Sequence, residues 1–295
     1  MDYVNPAELI AEALRAAKRK AELGVSDMLL RGALAGAFLG FATSLVFVVQ
    51  TQGVPPIVGA LLFPVGFVIL VLLGLELATG NFALLPPAVA AGEVTVGRLL
   101  RNWGWVYLGN LVGSTGYALL FYLAITNCGS NNGGPLGDLL RTAAQKKTLG
   151  YLAAGGAGWA TALVKAVLCN WMVTVGALLA MVSRSTIGKI AAMWLPILTF
   201  FAQGYEHSIV NMFVIPAGML LHAPVSFGNW WLWNQIPVTI GNILSGSLFT
   251  GLALYSTFRP KAALGTGGKT AGATSEVPLA LEPTGQALPY PSRAL

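Results

Sequence analysis

The segment "GYEHSIVNMFVIP", residues 204 to 216, sets a carboxylate and an imidazole side by side in one of the most apolar stretches of the chain. Between Lys189 and Arg259 the ionisable side chains, tyrosines aside, are Glu206, His207 and His222 alone. An imidazole changes charge near neutral pH and can lend a proton or a strong hydrogen bond to an anion beside it. Two readings of His207 stand: a group facing a permeating ion, or a neutral ring bonded to a backbone carbonyl. Glu206 reads either as a carboxylate that steers ions or as a hydrogen-bonded prop. Its counterpart Glu76, in a matching motif, favours the prop, with backbone N–H groups or nearby Asn and Thr side chains as partners. His222, at the end of the same stretch, reads as structural.

Lys165, in "GWATALVKAVLCNW", is the other isolated charge. It either snorkels to a membrane interface or faces a vestibule that attracts anions. No catalytic, metal or cofactor constellation accompanies these residues. The two histidines are far apart, Cys128 and Cys169 are separated, and no glycine-rich nucleotide fingerprint opens a helix. An enzyme and an ATP-driven pump are both disfavoured.

What must position such groups is a membrane. The 295 residues are 55% hydrophobic and 9% charged, with a mean hydropathy of +0.70, where soluble domains carry about 25% charged residues. Residues 32–75, 102–137, 148–164, 166–183, 190–205 and 208–258 carry no Asp, Glu, Lys or Arg. Against the ~20 apolar residues a helix needs to cross a bilayer, these runs predict six crossings, near 28–50, 57–90, 101–126, 152–183, 187–222 and 235–258. The second and fifth are too long for one straight helix and contain breakers, so each is expected to be broken. Membrane lipids are the surroundings such spans imply.

Residues 1–27 hold Asp2, Glu8, Glu12 and Glu22 among basic residues and lack an apolar core, so they do not read as a cleaved leader. They predict an amphipathic helix on the membrane surface, capped by Asn5 with Pro6 in its first turn. Residues 28–258 form the membrane domain, and 259–295, rich in Gly, Pro, Ser and Thr, read as a disordered cytoplasmic tail. Lys and Arg gather in the N-terminal segment, at Arg98 and Arg101, at Arg184 and Lys189, and at Arg259 and Lys261. That distribution puts both termini in the cytoplasm. The exception is the third loop, with Arg141, Lys146 and Lys147 against Asp138. The net charge of +6 is therefore topological, and no nucleic-acid partner is implied. Trp103, Trp105, Trp230, Trp231 and Trp233 read as interfacial belts.

An internal repeat ties these elements together. "GLELATGNFALLP", residues 74–86, and "GYEHSIVNMFVIP" share the pattern G-x-E-x-x-x-x-N-x-x-x-x-P without a gap. "GNLVGS" at 109–114 and "GNILSGS" at 241–247 follow one crossing later in each half. Three crossings per copy place the copies in opposite orientations, the inverted-repeat plan in which broken helices meet at the midplane and line a pathway. The fold class expected is an all-α membrane protein, with six transmembrane helices in an inverted 3+3 repeat.

"ELATGN", "LCNWMV", "GYEHSIVNMFVIP" and "IPVTIGNILSG", in that order, together with the N-terminal "NPAEL", resemble the signatures of the formate/nitrite transporter family over residues 3 to 258. The resemblance implies an aquaporin-like protomer in a homopentamer, one pore each, passing formate, nitrite or related monovalent anions. It implies that His207 and Thr79 meet midway along the pore, with Asn170 and Asn242 as pore asparagines. Phe63, Phe67 and Phe200 would form the outer constriction, and Leu77 and Val173 the inner one. Family members often carry a bulky aromatic where this chain has Ala78. They also carry a basic residue early in the fourth helix, where an ungapped count reaches Ala154. Lys165, or Lys146 and Lys147 after an insertion, would replace it. The alternative is an aquaporin-like channel for small neutral solutes, disfavoured because the one "NPA", residues 5–7, lies outside the predicted spans.

Overall fold

A computed structural model describes residues 2–259; the expected tail, Arg259 apart, lies outside them. Among the described residues every regular element is a helix, and extended pairing is limited to one bridge between Tyr3 and Ser183. The helices are α1 (Pro6–Glu22), α2 (Val25–Gln50), α3 (Pro56–Leu62), α4 (Pro64–Leu72), α5 (Ala78–Ala90), α6 (Val96–Ile125), α7 (Gly134–Ala153), α8 (Gly155–Val182), α9 (Thr186–Ala202), α10 (Ser208–Leu220) and α11 (Phe227–Phe258). The last contains two π-helical stretches, Trp231–Gln235 and Ser245–Leu252. Four helices, α2, α6, α8 and α11, are long and apolar enough to cross a membrane.

The first helix starts as its sequence dictates. The Asn5 side chain accepts from the N–H groups of Ala7 and Glu8, Pro6 follows the cap, and Arg19 and Lys20 complement the helix dipole in the last turn. Its apolar face, with Leu9, Ile10, Ala13 and Ala17, packs against α5, α6 and α8. The apolar face of this amphipathic helix is thus turned to the bundle.

Two short helices form the centre. Almost every residue of α5 and all of α10 from Ser208 to Gly218 are buried. A helix apolar all round must be enclosed on all sides, and the long helices enclose these two. The outer surface still exposes Leu34, Phe41, Leu119, Leu120, Val164, Leu232 and Phe249, a coat that suits lipid tails rather than water.

The long helices approach each other closely in two matching places. A Cβ on Gly109 would stand 2.7 Å from the Leu29 carbonyl oxygen of α2, and one on Gly241 would stand 2.5 Å from the Leu163 carbonyl oxygen of α8. Any larger side chain would force α2 from α6, or α8 from α11.

The stretch before α8 differs from its expected form. Residues 134–153 form a full helix, α7, which packs on α10 just as α1 packs on α5. Its polar sequence hid it among loop residues. It carries Arg141, Lys146 and Lys147, so the basic residues that broke the charge rule belong to a packed element.

Candidate functional site

The site is built where α4 stops before α5 and where α9 stops before α10. Gly74 and Gly204 adopt φ of +65° and +66°, the left-handed conformation that turns the chain out of each preceding helix and that other residues adopt at a cost. The backbone then runs extended, with Leu77 at φ −117°, ψ 119° and His207 at φ −114°, ψ 119°.

Extended backbone in a buried place exposes N–H and C=O groups that need partners. One asparagine serves each segment. Asn110 accepts from the Ala78 N–H at 2.9 Å and donates to the carbonyls of Glu76 at 2.9 Å and Gly32 at 2.8 Å. Asn242 accepts from the Ser208 N–H at 2.9 Å and donates to the carbonyls of Glu206 at 3.1 Å and Ala166 at 2.8 Å. The "GN" pairs of the sequence are these two residues.

The carboxylates follow the same plan. Glu76 accepts from Lys20 Nζ at 2.7 Å and from Asn81 at 2.8 Å. Glu206 accepts from Lys147 Nζ at 2.8 Å and from Asn211 at 2.7 Å. Asn81 and Asn211 also donate to Asn102 and Asn234, which in turn donate to the carbonyls of Lys20 and Lys147. Glu206 has two bonds without a counterpart, from the Tyr151 hydroxyl at 2.8 Å and from Asn234 at 3.4 Å. Both carboxylates are buried, and each is neutralised by a lysine from a flanking helix, the condition under which a buried charge is tolerated.

The two segments meet through His207 and Thr79, Nε2 to Oγ1, at 3.1 Å. The ring also caps α10, its Nδ1 accepting from the Val210 N–H at 3.2 Å. A nitrogen that accepts carries a lone pair, so the neutral ring bears its proton on Nε2 and donates it to Thr79. The threonine hydroxyl hydrogen is then free for another acceptor. Asn170 donates to the carbonyls of Thr79 at 3.2 Å and Asn242 at 2.7 Å, while its own Oδ1 is buried without a protein partner.

The expected site residues thus separate. His207, Thr79 and Asn170 come together. Asn242 braces the segment, with both amide protons and the carbonyl committed to backbone. The Glu206 oxygens are likewise taken, by Lys147, Tyr151 and Asn211. The lysine partner lay outside the expected set of backbone, Asn and Thr groups.

Phe63 and Phe200 pack edge to face at 5.7 Å between centroids, and Phe200 lies 5.8 Å from the His207 ring. Phe67 parts from them: with Leu77, Lys20, Arg31 and Glu76 it borders a cavity of about 470 Å³ on the α1 side. It therefore groups with Leu77, not with the outer phenylalanines. Val173 is fully buried, one helical turn from Ala177 on the wall of that cavity. The Lys165 carbonyl accepts from the Glu206 N–H at 3.4 Å, and its half-buried side chain forms no ion pair among the described residues. Trp103 and Trp230 turn their indole N–H groups inward, to the Asn81 carbonyl and Gln235, rather than to an interface.

Lys20, Tyr151, Asn102 and Asn234 escaped sequence reasoning, and Lys147, expected among the vestibule charges, is instead paired with Glu206. Extending the repeat upstream would have aligned "KRKAE" with "QKKTL", since each lysine precedes its glutamate by 56 or 59 residues.

The family model for the formate/nitrite transporter matches residues 7–256. A probable formate transporter of Methanothermobacter thermautotrophicus is 36% identical over 273 residues, covering 87% of this chain and 97% of that protein. The formate channel FocA of Escherichia coli (strain K12) is 32% identical over 278 residues, covering 86% and 94%. Among solved structures, an FNT family ion channel superposes with a TM-score of 0.72 at 29% identity, covering 85% of this chain and 98% of that one. A pentameric formate channel with formate bound gives a TM-score of 0.65 at 27% identity, covering 79% and 97%.

Proposed function

The chain belongs to the formate/nitrite transporter family and is an integral membrane protein, and from that premise we propose that it is a channel for small monovalent anions, formate and nitrite among them. The observation that carries this reading is the contact between His207 and Thr79 at 3.1 Å, where the two repeated segments converge among Phe200, Leu77 and Val173.

The proposed architecture has six crossings in an inverted 3+3 repeat. Helices α3 to α5 make the broken second crossing and α9 with α10 the broken fifth, within a channel domain spanning 28–258. The protomers form a homopentamer in the plasma membrane, with both termini cytoplasmic. Membership in the family and the likeness to a pentameric formate channel support this arrangement.

A bare anion in a narrow apolar tube pays a large desolvation penalty. Arg19, which borders the α1-side cavity and forms no ion pair among the described residues, and Lys165 on the other side raise the local anion concentration. Apolar rings at Phe63 and Phe200, and at Phe67, Leu77 and Val173, strip its water. At the centre the Thr79 hydroxyl, oriented by His207 Nε2–H, and the ring itself supply a hydrogen bond or a proton, so the ion passes charge-compensated. Asn170, with one buried oxygen unsatisfied, holds the Thr79 backbone in place.

The test is uptake of formate and nitrite by proteoliposomes at several external pH values. His207→Ala removes both the ring and the α10 cap, which by itself costs about 1 kcal/mol. His207→Asn separates the two effects, because an amide oxygen still caps Val210 but does not titrate in this range. Wild type should take up both anions faster in acid. His207→Asn should keep its stability and lose the pH response. A pH profile unchanged in His207→Asn would refute the histidine mechanism, and water or ammonia permeability without anion flux would move the protein to the neutral-solute class.

A further inference from the structure

Beside the α1-side vestibule lies a second cavity, of about 500 Å³, bordered by Arg15, Arg19, Arg184, Lys189, Glu12 and Ser183. Arg15 and Arg19 stand one turn apart on α1, Arg184 lies between α8 and α9, and Lys189 is near the start of α9. The carboxylate of Glu12 reaches only Arg15, at 3.9 Å. Among the described residues Arg19, Arg184 and Lys189 form no ion pair.

The two sides of this cavity are latched. The Asp2 carboxylate accepts from the Ser183 hydroxyl at 2.9 Å and from the N–H groups of Arg184 and Ser185, each at 2.7 Å. The Val4 N–H donates to the Val182 carbonyl at 2.8 Å. Four cations from distant parts of the sequence thus border one hollow, where like charges repel. Membrane topology asks only for Lys and Arg on the correct side. It does not ask for them to converge.

We propose that this cavity binds a phosphate-bearing anion. Its volume is far larger than a three-heavy-atom permeant ion needs, and three guanidinium groups present the forked donors that match phosphate oxygens. The cavity shares Ala16, Arg19 and Met181 with the vestibule, so the occupant sits beside the anion's route and reduces the positive field at that mouth. The source of the phosphate is either an anionic lipid headgroup or a soluble phosphate ester.

Two binding arms separate these sources, and neither needs transport. In the first, full-length protein is extracted from membranes of phosphatidylcholine with phosphatidylglycerol, and retained phosphatidylglycerol is counted by native mass spectrometry. In the second, pyrophosphate binding is measured by equilibrium dialysis in nanodiscs of phosphatidylcholine alone. Arg184→Gln/Lys189→Gln should weaken binding at least about tenfold, while Arg98→Gln/Arg259→Gln, which lies outside the cavity, should bind as wild type does. Lysine 189 replaced alone, Lys189→Gln, serves if the double variant melts early. Retention of lipid only assigns a headgroup, pyrophosphate only a soluble ester, and both a site for either. If neither probe distinguishes wild type from the cavity variants, the proposal is overturned and the four cations are solvated topological charge.

Discussion

The segment from Gly74 to Asn81 and the segment from Gly204 to Asn211 share a backbone, a buried glutamate with its lysine, and an asparagine brace. They differ in what stands at the extended residue and just after it. One offers Leu77, Ala78 and Thr79; the other offers His207, Ser208 and Ile209. The frame is duplicated, and His207 and Thr79, the groups proposed to act on an ion, occupy positions where the duplication fails. A leucine cannot cap its helix, and Leu77 leaves α5 without a side-chain cap, while His207 caps α10 and still reaches Thr79.

The largest effect should come from testing whether the two frames are equally dry. Lys147→Ala leaves Glu206 buried and uncompensated, a loss of about 3–5 kcal/mol. Glu76 borders the α1-side cavity, where water can replace the missing ammonium, so Lys20→Ala should cost only about 1–3 kcal/mol. Adding Glu206→Gln to Lys147→Ala should recover most of the loss. Thermal melting of the solubilised variants decides this. Equal losses at the two lysines would mean that water reaches both carboxylates alike, and the difference in their surroundings would be without consequence.

A smaller and more discriminating contrast concerns the braces. Asn110→Leu and Asn242→Leu each strand three backbone groups and should destabilise by a similar amount, about 2–4 kcal/mol. Their effects on flux should diverge. Asn242 holds the groups flanking His207, so its loss should blunt the pH response of anion uptake. Asn110 holds those flanking Leu77, and its loss should change the uptake rate without changing its pH profile. If both variants blunt the pH response, the histidine is not the sole origin of it.

Much of this was legible in the sequence for a physical reason. A chain that leaves helical geometry in an apolar interior needs glycine to turn and asparagine to satisfy the backbone, and both leave marks at fixed spacing. The helical class, the apolar spans and the family resemblance could be read from those marks. Thr79 and His207 could be paired only through the resemblance, because contacts across 128 residues have no local periodicity. The lysines were hidden for the same reason. Lys147 lies on α7, whose mixture of charged and small residues has no apolar run to announce it, and Lys20 looked like one more topological charge. Asn242 and Glu206 were recognised as special without their full set of partners, since a sequence does not say whether a polar atom is already spent on its neighbours.

The smallest effect tests how the leading helix of each half is tied down. The start of α1 is tied by Asp2 to residues 183–185, whereas the start of α7 is tied by Arg141, which donates to the carbonyls of Asn132 and Leu221. The Ser183 hydroxyl first, and then the N–H groups of Ser185 and Arg184, hold the Asp2 carboxyl below its ordinary value. A lowered carboxyl pKa means that the latch contributes fully above the usual value of about 3.9 and is lost as pH falls through the lowered one. The bonds from Arg141 to carbonyl oxygens involve no group that titrates there. Hydrogen exchange, corrected for intrinsic rates, should therefore show the amides of Val4, Arg184 and Ser185 opening between pH 5 and pH 2 while those around Gly133 and Gly137 keep their protection. Asp2→Ala should open the first set at every pH, and Arg141→Ala the second. Protection of 183–185 that survives acidification would mean that the bridge between Tyr3 and Ser183 and the Val4 bond suffice, leaving the carboxylate as ornament on a latch made of backbone.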